Sequence, residues 1–197
     1  MRLKAMAKIN LGLDVLGKRE DGYHEVRMIM QTIRMYDILD IRKTRRPGIV
    51  LTTNLPFIPT DQRNLVYKAA QMLMEEFDVE EGLSIKLRKF IPVAAGMAGG
   101  SSDAAAAFVG VNRMFHLGLT EEQLMERAVK VGADVPYCIM RGTALAEGIG
   151  EKLTRLPEVP KCYVLIGKPG INVSTKTAYE NLNLEGIGKH PDIDGLT

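Results

Sequence analysis

The interpretation of this chain depends on one stretch, Ile91–Asp103, which reads IPVAAGMAGGSSD. Its glycines and alanines leave backbone N–H groups unshielded, and glycine adopts conformations that bulkier residues cannot. Four alanines follow directly, at 104–107, and alanine is the strongest helix former. A glycine-rich turn that leads into a helix directs unpaired N–H donors and the positive end of the helix dipole toward one point. The stretch therefore predicts an anion site, to which Ser101 and Ser102 add hydroxyl groups.

Two familiar phosphate-binding motifs do not fit this stretch. A Walker loop requires a lysine directly after its glycines, and none follows Gly99 and Gly100. The dinucleotide-binding pattern Gly-x-Gly-x-x-Gly is also absent. The alternative is a tight turn before a well-packed helix, because glycine-rich turns are common. Phosphate binding is favoured because the turn, the serines and the helix start coincide.

Alternating residues before this stretch predict β-strands. From Met6 to Leu16, apolar side chains at 9, 11, 13 and 15 alternate with Lys8, Asn10 and Asp14. Period-two alternation is typical of a strand with one buried and one polar face. Further strands are predicted at Met28–Ile33, Ile38–Ile41, Ile49–Thr53, Leu83–Leu87, Tyr137–Met140, Thr143–Ala146 and Tyr163–Ile166.

Helical patterns lie between these strands. Asn64 is a candidate N-cap for a helix over 65–77, and Thr120 and Gln123 have the spacing of a capping box. Helices are predicted over Ser102–Phe115, Glu121–Val131 and Thr175–Leu182. The mixed order predicts an α+β fold instead of a regular alternation of strands and helices.

Composition limits the possible partners. The 26 basic and 24 acidic residues give a net charge of +2, so neither a nucleic acid nor a membrane surface is expected to bind. The basic run between Arg42 and Arg46 is interpreted as a solvated turn. Cys138 and Cys162 lie in apolar stretches and are predicted to be buried free thiols. With no signal peptide and no run of about 18 apolar residues, a cytoplasmic protein is expected.

A domain boundary is predicted near Arg155–Lys161, where Pro157 and Pro160 flank two residues. We expect one domain over 1–155 and a second that begins at 156–197. Because about 40 residues are too few for an independent core, we expect the second domain to be incomplete.

The pattern Pro-x-x-x-Gly-x-x-Gly-Gly-Ser-Ser-Asp-Ala-Ala resembles the phosphate-loop signature of the GHMP kinases. Among these kinases, the chain is most similar to the members that phosphorylate the 2-hydroxyl of a cytidine diphosphate methylerythritol with ATP, in non-mevalonate isoprenoid synthesis. The segments that carry this similarity are 7–11, 21–25, 64–70, 132–136, 142–151 and 169–175. The resemblance implies a GHMP-kinase N-terminal domain, with a fold similar to a ribosomal-protein domain, followed by the start of a C-terminal α+β domain.

The resemblance also implies roles for individual residues. Asp134 would accept the proton of the substrate hydroxyl, and Lys8 would lie beside it; a lysine keeps a nearby carboxylate ionised and offsets phosphoryl charge. The substrate would be bound by Asn10, Tyr23, His24 and Tyr179. ATP would be bound by Asn64, Lys89, Pro92, Val93, Ala94, Ala95, Gly96, Met97, Ala98, Gly99, Gly100, Ser101 and Ser102. Mg²⁺ would be held mostly by phosphates and water, with Ser102 as a candidate contact and no cage of protein ligands.

Two departures from the family pattern stand out. The family usually has Gly-Leu-Gly-Gly-Gly in the loop, whereas this chain has Met97 and Ala98; the alanine is tolerable unless its position requires a positive φ. The family's late glycine-rich segment has no counterpart, so we expect the chain to be a fragment.

Three alternatives remain open at this point: another GHMP kinase with a different alcohol substrate, an inactive nucleotide-binding fragment, and an RNA-binding module. The balanced charge and an aromatic content of 6% disfavour the last one. We expect a monomer or a homodimer.

Overall fold

The computed structural model describes residues 1–171, 175–186 and 188–196. Within these residues the strands are β1 (Arg2–Lys18), β2 (His24–Thr44), β3 (Ile49–Thr53), β4 (Gly82–Arg88), β5 (Thr143–Glu147) and β6 (Lys152–Arg155). The helices are α1 (Leu65–Glu76), α2 (Gly99–Phe115), α3 (Glu121–Ala128), α4 (Val135–Met140) and α5 (Thr175–Glu180). Two short 3₁₀ turns, Leu184–Gly186 and Asp194–Leu196, follow α5.

The long strand β2 is the scaffold of the sheet. It pairs with β1 in antiparallel fashion from Asp40 back to His24. On its other side it pairs with β4 over 38–44 and with β5 over 28–31, so two shorter strands share one edge. Strand β3 joins β4 in parallel, and β6 joins β5 in antiparallel. The sequence predicted two strands where β2 is continuous.

The predicted faces of β1 are wrong. Lys8 and Asp14 are buried, whereas Leu11 and Leu13 are 47% and 42% exposed. The pairing register of β1 with β2 shifts at three places, between residues 6 and 8, 10 and 12, and 15 and 17. Because each extra residue reverses the direction of the side chains that follow, simple alternation does not describe the burial of this strand.

Helix α2 packs closely on the sheet and is central to the core. A Cβ added at Gly110 would lie 2.5 Å from Cδ1 of Ile41 and 2.8 Å from Cδ1 of Leu3, so this glycine permits the close approach. Phe108 of α2 and Leu73 of α1 are fully buried in the same core. The predicted caps of α1 and α3 are confirmed, including the reciprocal capping box between Thr120 and Gln123.

Three local predictions are wrong. The apolar run 137–140, predicted as a strand, belongs to α4, where Pro136 lies in the first turn and its fixed φ suits the start of a helix. The run 163–166 has no regular structure, and Tyr163 and Leu165 are almost fully exposed. Cys138 is buried as predicted, but Cys162 is exposed because it lies in this irregular segment. Strand β6 was not predicted.

The basic run is solvent-exposed, as predicted. The division into domains at residue 155 stays a prediction. Val173 and Ser174, which contribute to the family resemblance, lie outside the described residues.

Candidate active site

A cavity of about 1410 Å³ brings together residues from most of the elements around α2. Its lining includes the end of the β1–β2 hairpin, the loop before α2, the residues just before α4, and part of α5. All but one of the site residues expected from the sequence line it; they are Lys8, Asn10, Tyr23, His24, Asn64, Lys89, residues 92–101, Asp134 and Tyr179. The exception is Ser102.

The loop before α2 has an unusual backbone. Ala94, Gly96 and Ala98 all have positive φ, at 53°, 69° and 53°, so the left-handed conformation recurs at every second residue. Alternation of this kind turns successive N–H groups inward and forms an anion-binding concavity. Ala98 is also the residue before the first turn of α2. The alanine therefore stands where the backbone does require a positive φ.

The start of α2 carries free donors. The N–H groups of Gly99, Gly100 and Ser101 have no acceptor among the residues that the structure describes, as expected for the first turn of a helix. The N–H of Ser102 donates to the carbonyl oxygen of Ala98 at 2.8 Å. Three donors and the positive end of a 17-residue helix thus face the cavity.

The loop is attached to β1 through its middle. The N–H of Lys8 donates to the carbonyl oxygen of Met97 at 3.2 Å. The Met97 side chain is buried and packs with Ala7 and Ile91 in a small apolar cluster apart from the main core. Methionine in place of leucine fills this site, since the two have similar volumes.

Ser102 differs from its expected role. Its hydroxyl donates to the carbonyl oxygen of Met6 at 2.5 Å and lies 3.3 Å from the sulfur of Cys138. Burial of the thiol raises the pKa of Cys138 to about 12, so it stays protonated. The Ser102 side chain therefore joins α2 to β1 and is buried outside the lining of the cavity.

Asn64 and Lys89 line the cavity, but their polar groups have protein partners. The Asn64 side chain accepts from the N–H of Val66 and donates to the carbonyl oxygen of Pro59. The backbone N–H and carbonyl of Lys89 are both bonded to the side chain of Asn54. Contact of either residue with adenosine stays a prediction.

Lys8 and Asp134 line the same cavity from different elements, β1 and the start of α4. The ammonium of Lys8 is buried and donates to Oδ1 of Asn10 at 3.0 Å. Asp134 stands before α4 without capping it through its side chain, which leaves the carboxylate available. Among the described ion pairs there is none between Lys8 and Asp134.

Aromatic side chains from the hairpin and α5 form a second part of the cavity lining. The rings of His24 and Tyr179 are stacked, with centroids 5.0 Å apart and planes inclined by 27°. Burial and the nearby charge of Asp134 raise the pKa of Tyr179, so the phenol is neutral. Tyr23 lies beside this pair and is 59% exposed.

The sequence did not reveal a buried ionic cluster under the loop. Lys89 forms ion pairs with Asp37 and Asp103, and the side chains are at most 5% exposed. Asp103 belongs to the diagnostic stretch but was given no role, and Asp37 follows Tyr36 in a strand with no distinguishing signal. Burial is the main reason why the pKa of Asp103 is raised well above its usual range.

Comparisons with known proteins agree with this geometry. Residues 64–142 match the family model of the GHMP kinases N terminal domain. The solved structure of a 4-(cytidine 5'-diphospho)-2C-methyl-D-erythritol kinase superposes with a TM-score of 0.80 at 32% identity, covering 98% of this chain and 69% of that one. A mevalonate kinase from Methanococcus jannaschii, at 15% identity and a TM-score of 0.62 over 80% of this chain and 56% of its own, shares the fold.

Curated relatives are more similar still. The 4-diphosphocytidyl-2-C-methyl-D-erythritol kinase of Lachnospira eligens is 57% identical over 196 residues, which cover 100% of this chain and 68% of the relative. That of Lachnoclostridium phytofermentans is 58% identical over 194 residues, or 98% of this chain and 67% of the relative.

The fold, the phosphate loop and these matches identify the chain as a GHMP kinase, an enzyme class that uses ATP as phosphoryl donor. Within that class, the chain belongs to the family of 4-diphosphocytidyl-2-C-methyl-D-erythritol kinases. The expected fold class and the expected kinase family are thereby confirmed. No helix among residues 1–171, 175–186 and 188–196 is long and apolar enough to cross a membrane.

Proposed function

We propose that this chain transfers the γ-phosphoryl group of ATP to the 2-hydroxyl of 4-diphosphocytidyl-2-C-methyl-D-erythritol, a step of non-mevalonate isoprenoid precursor synthesis. The observation that carries the proposal is a single cavity whose lining contains both free backbone donors and a stacked aromatic pair. Phosphates suit the donors, and a flat base suits the aromatic rings. The relatives that are 50–58% identical bear the name of this kinase.

Asp134 is the proposed acceptor of the substrate hydroxyl proton. Phosphoryl transfer requires mainly positioning and stabilisation of charge, and one carboxylate at the nucleophile completes that set. Lys8 supplies a buried positive charge near the transferred group, and Asn10 holds the Lys8 ammonium through its side-chain oxygen. Both residues lie on β1, whose position is fixed by its pairing with β2.

The phosphates of ATP bind the N–H groups of Gly99, Gly100 and Ser101 in this proposal. Mg²⁺ fits as an ion carried mainly by the phosphates and water, because no group of three His, Cys, Asp or Glu residues that could hold a metal occurs in the described parts of the chain. Ser101, which lines the cavity, is the residue that would contact it. When bound, the ion neutralises charge on the phosphates.

Tyr23, His24 and Tyr179 are the proposed binding surface for cytosine. His24 and Tyr179 now stack on each other, so one ring must move if the base is to lie between them. The exposed Tyr23 is placed to cover the base from the solvent side. A kinase of mevalonate or homoserine has no base to bind and would not need these rings.

The substrate panel is the direct test. The purified chain is incubated with ATP, Mg²⁺ and equal concentrations of 4-diphosphocytidyl-2-C-methyl-D-erythritol, mevalonate or homoserine, and the phosphorylated products are identified by mass spectrometry. We expect product from the cytidyl substrate alone. Phosphorylation of only mevalonate or homoserine would contradict the proposed substrate, and ATP binding without any product would favour the inactive fragment. The Asp134→Asn variant serves as the negative control.

A further inference from the structure

Three ionisable side chains are buried directly under the phosphate loop. The ammonium of Lys89 is bonded to Oδ2 of Asp37 and, at 2.6 Å, to Oδ2 of Asp103. The side chains of Asp37, Lys89 and Asp103 are 0%, 5% and 3% exposed. Two carboxyl groups therefore share one ammonium away from bulk water.

This cluster joins both ends of the loop to β2. The other oxygen of Asp37, Oδ1, accepts hydrogen bonds from the N–H groups of Phe90 and Ile91, at 2.5 and 2.8 Å. These two residues leave β4 and begin the loop. Asp103 lies in the first turns of α2, where the loop ends. The cluster thus closes a span of 14 residues from Lys89 to Asp103.

The ammonium also lies against the donors themselves. A Cβ added at Gly99 would be 3.2 Å from Nζ of Lys89 and 3.2 Å from Cγ2 of Ile91. Gly99 is the first residue of α2, and its N–H is one of the three free donors. A shift of Lys89 would therefore act directly on Gly99, which carries one of these donors.

Burying such a cluster lowers the stability of the fold, so stability alone does not explain its presence. An ion pair removed from water seldom contributes more than an apolar pair of the same volume, and here a second carboxyl group is buried with it. Oδ1 of Asp103 has no hydrogen-bond partner among the described residues, which adds to the cost. Charged networks of this kind do, however, hold their members in one geometry.

We infer that Asp37, Lys89 and Asp103 are positioning residues for the phosphate loop, and that they set the affinity for ATP without contacting the reacting atoms. They hold the loop ends so that the N–H groups of Gly99–Ser101 converge on one point. The inference rests on the proposed function in one respect, namely that the loop binds the phosphates of ATP.

Asp40 provides a matched control. It lies three residues after Asp37 on the same strand, and its carboxylate likewise bridges two basic residues, Arg2 and Arg88. It does not contact the loop. Replacing Asp37 removes a bridging carboxylate of β2 under the loop, and replacing Asp40 removes one elsewhere on the same strand. Comparing the two separates an effect on the loop from the loss of an ion pair in general.

The experiment compares Asp37→Asn, Lys89→Met and Asp40→Asn in the whole chain. Hydrogen exchange of residues 90–101 is measured without nucleotide, and KM for ATP, KM for the cytidyl substrate and kcat are measured by steady-state kinetics. We expect Asp37→Asn and Lys89→Met to speed loop exchange and to raise KM for ATP at least tenfold, with kcat and the other KM changed less than threefold. Asp40→Asn should change none of them by more than twofold.

Two further variants keep the test decisive. Asp37 accepts hydrogen bonds through both oxygens, whereas Oδ1 of Asp103 has no partner among the described residues, so the amide NH2 of Asp103→Asn can take the place of Oδ1 while its oxygen still accepts from Lys89. Its effects should therefore be smaller than those of Asp37→Asn, and it serves where the stronger variants fail to fold. The double variant Asp37→Asn/Lys89→Met should raise KM for ATP no further than either single one, because one network is broken once.

The possible failures are distinguishable. Unchanged loop exchange and unchanged KM for ATP in folded Asp37→Asn and Asp103→Asn would overturn the inference. A loss specific to Lys89→Met would also overturn it and would favour direct contact of Lys89 with ATP. If the wild-type chain does not bind ATP at all, the proposed function fails, while loop exchange in the variants still decides whether the cluster holds the loop.

Discussion

The cavity lining has two parts that are built in different ways: we call the loop before α2 with the first turn of that helix the phosphate end, and Tyr23, His24 and Tyr179 the base end. The phosphate end consists of backbone groups whose loop is attached to β1 through Met97 and to β2 through Asp37. The base end consists of side chains from a hairpin and a short helix, and two of its rings are stacked on each other. The phosphate end is therefore preorganised, whereas the base end must rearrange to bind. Substitutions at the phosphate end should accordingly weaken ATP binding by displacing the backbone donors. Substitutions at the base end should weaken substrate binding by removing contact area with the base.

Asp134, which belongs to neither end, should show the largest effect. We expect Asp134→Asn to lower kcat by at least about 100-fold, since general acid–base groups contribute roughly 10²–10⁴. The KM for ATP should change less than threefold, because the carboxylate acts mainly in the transition state. Asp78→Asn, at an exposed carboxylate outside the cavity, is the control. Undiminished turnover would remove Asp134 from the mechanism.

The base end can be tested by removing one ring. Stacking of a base on an aromatic side chain is worth about 1–3 kcal/mol, so Tyr179→Ala should raise KM for the cytidyl substrate about tenfold or more. The KM for ATP should stay unchanged, since the phosphate end does not depend on this ring. Tyr163→Ala, at an almost fully exposed ring, is the matched control. Equal changes in both KM values would mean that the two ends are not independent.

The phosphate end can be tested with two adjacent glycines. A Cβ at Gly99 would lie 3.2 Å from Lys89 and Ile91, whereas one at Gly100 would meet only Cδ1 of Leu65 at 3.7 Å. Gly99→Ala should therefore weaken ATP binding by about 1 kcal/mol, as expected for mild overpacking, which corresponds to a roughly fivefold rise in KM for ATP. Gly100→Ala should leave it within twofold. Identical effects would show that the contact with Lys89 is not what matters.

Ala98 allows the strain of the loop to be measured. An L-residue in the left-handed region is destabilised by about 1–2 kcal/mol, so Ala98→Gly should raise the free energy of unfolding by up to about 1 kcal/mol after the added flexibility of the unfolded chain is subtracted. Ala95→Gly is the control, because Ala95 does not have a positive φ. It should lower stability slightly. Urea denaturation of both variants measures the difference, and a loss of stability in Ala98→Gly would contradict the assigned strain.

The buried carboxyl group under the loop predicts a small pH effect. Because the pKa of Asp103 is raised in the folded protein, the folded state keeps a proton that the unfolded state loses near pH 4. The free energy of unfolding should therefore fall as pH rises from about 4 through the raised pKa. Asp103→Asn should remove this slope in urea titrations at several pH values.

Asp61 serves as a control for this titration, because its pKa is lowered instead of raised. Hydrogen bonds from Arg63 lower the pKa of Asp61 to about 2 at an exposed site. Its contribution is present above pH 4 and is lost as pH falls toward 2. Asp61→Asn should therefore leave the slope between pH 4 and 7 unchanged; a changed slope there would assign the effect to general charge instead of to Asp103.

Local patterns were enough to locate much of the fold and one end of the site. Asn64, Thr120 and Gln123 marked helix starts correctly because capping involves residues only two or three positions apart. The strand Ile49–Thr53 was predicted with its observed bounds. The phosphate loop was recognised because its glycines, serines and following alanines are consecutive, and the comparisons bear out the family that it indicated.

Only the tertiary structure decided the features that depend on distant residues. The helical state of 137–140 follows from packing, and the burial of β1 follows from its bulges. Side-chain periodicity does not report either of these. Asp37 and Lys89 are separated by 52 residues, and no local pattern indicates that a strand carboxylate meets an ammonium under the loop. The sequence by itself determined where the glycine-rich loop and the start of α2 lie, because both are encoded in consecutive residues. The fold decided what holds those residues in place, because a buried charge acquires its partners only when the chain is packed.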